Sequence, residues 1–299
     1  MTDPIRVFIA STPSEWLPAR VLECSIRETT SANVEVAQLH TFNRPIPMPC
    51  HPKSRPRTPF SFQRFLIPEL CEWRGQALYL DADMQVFRDI NALWTFPMRG
   101  CDVQTVAAGN SGRRGQFSVM LLDCAALNWQ VEAIVDALDA RRLTYEQLMY
   151  EMRVARQIGR HLPAEWNSLE HYEAGQTALL HYTDMNTQPW VSRANPLEPI
   201  WMRGLMRALE NGFISMREVR READSGHVRP SLVTQLEQGI DRSASLGETA
   251  VQIDQAFVAP YRALKVAQAA RPKQSFSRFL SAVRGRLHRV LCGERSNPT

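Results

Sequence analysis

Apolar positions along the chain fall into short unbroken runs and helically spaced stripes. Ile5-Arg6-Val7-Phe8-Ile9-Ala10 predicts a first strand, and Ser11-Thr12-Pro13-Ser14 supplies hydroxyls and a proline that suit the start of a helix running to about Arg27. Val34 to Leu39 alternates like a second strand, so the opening is β-α-β, the seed of a parallel sheet with ligand sites at the carboxyl ends of its strands. Phe60 to Trp73 places Phe62, Phe65, Leu66 and Leu70 at helical spacing and leads through Gly75 into a buried strand, Ala77-Leu78-Tyr79-Leu80. Further strands are expected at Val103–Ala107, Ser118–Leu122 and Thr177–Tyr182, and helices at Asp89–Phe96, Trp129–Leu138 and Tyr145–Ala155. Ile200 to Leu236 reads as helical and charged, with a break at Arg229-Pro230-Ser231.

Two stretches stand apart from this alternation. "RPIPMPCHPKSRPRTP", residues 44–59, lacks the amide donors for an inner strand or a regular helix, so it reads as an extended surface loop, either a connector or a flap over an anionic site. In "SFSRFLSAVRGRLHRVL", residues 275–291, apolar residues recur at helical intervals between arginines. It is read as either a terminal helix docked on the body or an attachment to an anionic membrane surface. The expected organisation is one α/β domain over residues 1–240 and a basic helical tail over 241–299.

Composition narrows the class. With 299 residues and 44% hydrophobic content the chain can bury a substantial core. Its six cysteines form no C-x-x-C pair, which fits reduced thiols in the cytoplasm. The amino-terminal apolar stretch is too short for a signal peptide or a membrane span. A net charge of only +4 gives no argument for a nucleic-acid partner, but the sequence from Tyr261 onward sets many arginines and lysines against one acid, Glu294.

The chemistry centres on "LYLDADMQV", which puts Asp81 and Asp83 at the end of an apolar strand. Carboxylates there must be solvated or neutralised. Three readings fit: a polar loop, a phosphatase of haloacid dehalogenase type with Asp81 as nucleophile and Asp83 as acid/base, or a pair holding Mn²⁺ or Mg²⁺ against a nucleotide diphosphate. The phosphatase signature wants threonine or valine where Gln85 stands and lies nearer the amino terminus.

The wider sequence resembles glycosyltransferase family 8. "FSFQRFLIPELCEWRGQALYLDADMQVFRDINALW" is similar to the family's region around its Asp-x-Asp motif, and "LLHYTDMNTQPW" to its later histidine block. The resemblance runs from about Ile5 to Trp201. It implies an α/β fold of GT-A type, a Rossmann-like mixed sheet flanked by helices, and retaining transfer of a sugar, hexosyl in type, from a UDP-sugar to a glycan or glycolipid-type acceptor. By position it implies Asp81, Asp83 and His181 as ligands of Mn²⁺ or Mg²⁺. Donor contacts are implied from Ala10, Ser11, Thr12, Arg64, Ala82 and Gln188 besides the two aspartates.

Three positions depart from the family pattern. Gln188 replaces the lysine before Pro-Trp, a neutral donor where a cation would stabilise the leaving diphosphate, and Arg193 or arginines of the proline-rich loop are the expected substitutes. Gln116 stands near the family's sugar-contacting asparagine, and Glu146-Gln147 stands for its Asp-Gln pair, which makes Gln116 and Gln147 the candidates nearest the reacting sugar. Trp166 and Asn167 in "LPAEWNSLE" are expected to pack and to cap. The departures keep open a catalytically weak nucleotide-sugar-binding protein. They do not weaken the expected location, in the cytoplasm and peripheral at the inner membrane face.

Overall fold

The first strand, β1 (Ile5–Ala10), is apolar apart from Arg6 near its start because both its faces are covered. Phe8 and Ala10 face one core with Tyr79 and Trp129, while Ile5, Val7 and Ile9 face another with Leu22 and Ile26. The structure is a computed structural model and describes residues 3–107 and 117–264. After β1 a 3₁₀ turn (Pro13–Glu15) leads into α1 (Trp16–Thr29) and β2 (Val34–Gln38). Then follow α2 (Ile67–Leu70), β3 (Gln76–Asp81), β4 (Met84–Val86), α3 (Asn91–Trp94), β5 (Val103–Val106) and β6 (Val119–Asp123). Next come α4 (Val131–Asp139), α5 (Tyr145–Met149), β7 (Ile158–Leu162), β8 (Ser168–Leu169) and β9 (Leu179–His181). The later helices are α6 (Glu198–Glu210), α7 (Met216–Asp224), α8 (Ser231–Glu237) and α9 (Glu248–Ile253).

Six strands form the main sheet in the order β2-β1-β3-β6-β5-β7. β1 is parallel to β2 and β3, β6 is antiparallel to β3 and β5, and β7 is parallel to β5, so the sheet is mixed as expected. A small second sheet, β4-β9-β8, takes the chain immediately after β3 and pairs Met84 with His181. Ala10 is level with Asp81 on β3. These two registers bring the ends of β1, β3 and β9 to one place.

α1 is buried on two sides: Ala19, Leu22 and Ile26 meet the sheet, while Leu17, Val21 and Cys24 meet Trp201, Met202 and Leu205 of α6. Each of the larger ones, such as Leu22, Ile26, Leu17 and Val21, is worth about 1.5–3 kcal/mol when withdrawn from water, which ties the helical half to the sheet. The compact unit continues through Pro260. Residues 241–260, expected to begin the tail, are held to it: Ser243 donates to Glu198, and Asp254 accepts from Ser231 and pairs with Arg193.

Three expected helices are shorter than their patterns, α3 covering only Asn91–Trp94 of the expected Asp89–Phe96. Over Phe60 to Trp73 the chain forms only a 3₁₀ turn (Gln63–Leu66) and α2, because Pro68 has no amide proton and Glu72 and Trp73 take positive φ. Its apolar residues Phe62, Phe65 and Leu66 are nevertheless buried. α5 stops at Met149, and Met152, at φ 51° and fully buried, turns the chain toward β7. The proline-rich loop is irregular apart from a 3₁₀ turn (Pro52–Ser54) and is pinned to the body by Arg44 on Glu69 and Glu132, Cys50 N on Asp139, and Arg57 on Tyr150.

Candidate metal centre and donor site

β3 carries Tyr79 and Asp81 on one face because residues two apart in a strand point the same way. The Tyr79 hydroxyl donates to Asp81 Oδ1 at 2.5 Å. Arg64 lies over the Tyr79 ring, 4.5 Å from its centroid, with Nη2 3.7 Å from the same carboxylate oxygen. Its other donors reach Ser61 O and Phe117 O, so this guanidinium, 5% exposed, sits behind the acidic pair and joins three segments. Burial pushes the Asp81 carboxyl up, Arg64 pulls it back, and the neighbouring Asp83 charge raises it again.

The turn through Ala82, itself buried, brings Asp83 beside β9. His181 Nε2 lies 3.1 Å from Asp83 Oδ1, yet the pair is poorly aligned for a hydrogen bond and that buried oxygen has no hydrogen-bond partner. The other oxygen, Oδ2, accepts from Gln188 Nε2 at 2.9 Å. Asn167 Oδ1 stands 3.0 Å from His181 Nδ1 and fixes the ring. Because the amide oxygen only accepts, the proton belongs on Nδ1, and the Nε2 lone pair faces two carboxylates.

That arrangement wants positive charge. Ligand atoms of Asp81, Asp83 and His181 all lie within 4.8 Å of one another. Burial disfavours a charged imidazole, but Asp83 and then Asp81 outweigh it and raise the His181 pKa. A proton on Nε2 or a divalent cation among the three ligands would resolve the same imbalance. The orphaned Asp83 oxygen, two carboxylates and an oriented imidazole fit Mn²⁺ or Mg²⁺, with hard oxygen donors joined by one nitrogen.

Around this centre the expected donor residues divide. Ala10 ends β1 beside Asp81. Ser11 is fully buried: the Gln63 side chain clasps both its backbone N–H and its carbonyl, and its hydroxyl meets His40 Nδ1 at 2.8 Å. Thr12 donates from backbone and hydroxyl to Glu15 Oε2. Gln188 reaches Asp83, whereas Arg193, one expected substitute for the missing lysine, is paired with Asp254 at 3.3 Å. Gln147 closes the start of α5, its Oε1 accepting from Thr144 N, and Arg57 spans Tyr145, Tyr150 and Glu146. Gln116 and the basic tail segment from residue 275 lie outside the described residues.

Four residues with a part here were not read from the sequence as site residues. Tyr79 was expected only to fill a strand, although its i, i+2 relation to Asp81 carries the signal. Asn167 was expected to cap and instead holds His181, while Trp166 packs as expected. Glu15 completes a Thr-x-x-Glu capping box, and burial, with smaller contributions from Asp83 and Asp81, raises its pKa to about 7. Glu170, at φ 51°, ties the loop after His181 through Thr183 and Asp184 N.

A mixed sheet with an acidic pair at the end of its third strand, facing a histidine from a second small sheet, is the architecture of the GT-A fold. Residues 22–135 match the model of Glycosyl transferase family 8, so the family resemblance is shown over that region, which contains Arg64, Asp81 and Asp83. The glycosyltransferase GlyE of Streptococcus pneumoniae TIGR4 is similar at 16% identity and a TM-score of 0.52, over 71% of this chain and 64% of that one. Its apo form gives 18% identity and a TM-score of 0.50, over 71% and 63%. The apo structure of the bifunctional glycosyltransferase WbbM gives 13% identity and a TM-score of 0.50, over 71% of this chain and 51% of that one. The likeness thus spans between about half and just under two-thirds of those proteins, and at these identities it shows the fold. No curated protein matches the chain. The Asp-x-Asp motif lies inside the region that matches the family model.

Proposed function

We propose that this protein is a metal-dependent, retaining glycosyltransferase that moves a hexose from a UDP-sugar to a glycan or glycolipid-type acceptor. The observation that carries this reading is the convergence of Asp81, Asp83 and His181, with an unpartnered carboxylate oxygen, at the end of the strand that bears the family motif. Those three side chains would hold Mn²⁺ or Mg²⁺, which when bound neutralises diphosphate charge and makes it a better leaving group. Ala10, Ser11, Thr12 and Ala82 shape the donor side, where carboxyl ends of parallel strands receive ligands. Arg64 contributes through Asp81 and its field rather than by an exposed donor. Gln147, its oxygen held by Thr144, offers its amide nitrogen to the sugar together with Gln116. Retention requires the acceptor hydroxyl to enter on the face the diphosphate leaves, so the departing oxygen itself can take the acceptor proton and no strong protein base is needed.

The working location is the cytoplasm, peripheral to an anionic membrane face through the basic sequence of residues 275–291. Among the described residues no helix is long and apolar enough to cross a membrane. Removing the residues after Gln274 should abolish binding to anionic vesicles; unchanged binding would remove the membrane half of the proposal.

Thermal stabilisation by a panel of UDP-sugars, with and without Mn²⁺, tests the enzyme half, since a ligand that binds the native state raises apparent stability by mass action. At least one UDP-sugar should stabilise the wild type only with metal, and Asp83→Asn should lose the effect. Metal-independent binding untouched by the substitution would overturn the reading. Metal-dependent binding without donor hydrolysis or transfer would select the nucleotide-sugar-binding protein instead, a reading favoured by the full engagement of the Gln188 amide hydrogens.

A further inference from the structure

At Gln188 this chain departs from the family pattern at a position in contact with a candidate cation ligand. The side-chain nitrogen donates to Asp83 Oδ2 at 2.9 Å and to Tyr182 O at 2.9 Å, so both of its hydrogens are engaged. The residue is 6% exposed and its backbone is fixed: Gln188 N donates to Asp184 O, and the next two carbonyls, of Pro189 and Trp190, accept from the buried Arg229. Trp190 packs between Tyr182 and Trp201. A side chain held this way has no donor left for a leaving diphosphate.

Its effect falls on Asp83. With Oδ2 pinned by an amide, the carboxylate presents Oδ1, the buried oxygen without a hydrogen-bond partner, toward His181 and Asp81. The amide carries no net charge, so among the described residues the electrostatic deficit of the acidic pair is offset by Arg64, on Asp81, and by whatever charge His181 takes up. Glu170 beside His181 deepens that deficit. A lysine in the same place would put a fixed cation within reach of Asp83 and compete with a divalent ion.

We infer that Gln188 is a positioning residue for the cation ligand Asp83 and that its neutrality strengthens divalent-cation binding compared with a lysine at this place. The inference rests on the reading of Asp81, Asp83 and His181 as cation ligands. Mn²⁺ affinity of the full chain, measured without nucleotide from the electron paramagnetic resonance of free Mn²⁺, tests it on wild type, Gln188→Lys, Gln188→Met and Asp83→Asn. Gln188→Met, which loses this outer-shell partner of a metal ligand, should weaken binding about tenfold, and Gln188→Lys, which adds a competing charge, should weaken it more, toward about a hundredfold. Melting of the metal-free proteins checks folding; a purely structural role would move melting and leave the order of affinities flat. Wild-type affinity in both Gln188 variants, with binding lost in Asp83→Asn, would overturn the inference and leave the metal centre standing. Equal losses in the two would overturn its charge component, and if the lysine variant fails to fold, unchanged affinity in Gln188→Met overturns the positioning role. Absence of Mn²⁺ binding to the wild type, or wild-type binding by Asp83→Asn, would overturn the metal reading and this inference with it.

Discussion

Two polar clusters lie inside the body of the protein, one around Arg229 and one around Asp83, and they are built to opposite rules. Arg229, 1% exposed, donates to Pro189 O, Ser231, Glu198 and Gln235, and the second oxygen of Glu198 accepts from Ser243 N and Oγ. Burial lowers the Arg229 pKa to about 10, the Glu198 and Asp254 charges oppose this, and the group stays charged and matched. At Asp83 the same economy of hydrogen bonds is broken: one oxygen is fixed by Gln188, the other has no partner, and acids outnumber the cations that face them. A closed cluster holds elements together, whereas an open one of like charge is completed from outside. The two are joined in sequence, since Arg229 grips the Pro189-Trp190 turn that carries Gln188.

The contrast is broken most severely at Arg229. Arg229→Met leaves Glu198 buried and unpaired, and should cost about 3–5 kcal/mol of stability in denaturant titration, with or without Mn²⁺. Asp83→Asn should do the reverse. It removes one of two adjacent negative charges, so metal-free stability should hold or rise, while the Mn²⁺-dependent gain, about 2.7 kcal/mol at a hundredfold excess over the dissociation constant, should vanish from thermal melts. Asn167→Leu frees the His181 ring and should weaken Mn²⁺ binding about tenfold, near 1.4 kcal/mol, by calorimetric titration, with little change in folding.

The smallest effect is expected at Glu15. Its folded pKa is raised from 4.5 to about 7, chiefly by burial, so the native state holds a proton that the unfolded chain releases. Stability from this group is present below about pH 4.5 and declines as pH rises toward 7, because the unfolded state binds fewer protons over that window. Glu15→Gln should flatten that part of the stability profile of the metal-free protein. An unchanged slope would show that Glu15 is ionised in the fold.

The acidic pair was legible in the sequence because Asp81 closes the apolar run Ala77–Leu80, whereas His181, which closes Ala178–Leu180, was read from the resemblance of its block, since a histidine at a strand end by itself more often packs in a core. The opening β-α-β unit was legible because β1 is a mostly apolar buried run and β2 alternates in polarity. β7 was not, since Ile158-Gly159-Arg160-His161-Leu162 is apolar only at its ends and gains its place by pairing with β5. β4 and β8 are too short to show a period. Helical spacing misled at Phe60–Trp73, where burial of the right phenylalanines is achieved by turns around Pro68. The roles of Asn167 and Gln188 depend on partners 14 and 105 residues away, and no local pattern encodes such contacts.

The central claim is that Asp81, Asp83 and His181 are the protein ligands of one divalent cation. Anomalous diffraction from a crystal grown with Mn²⁺ and UDP tests it most directly. A single manganese peak should lie within coordinating distance of an oxygen of each aspartate and of His181 Nε2, with Asn167 still on Nδ1. A manganese peak elsewhere, or one bound without the imidazole, would contradict it.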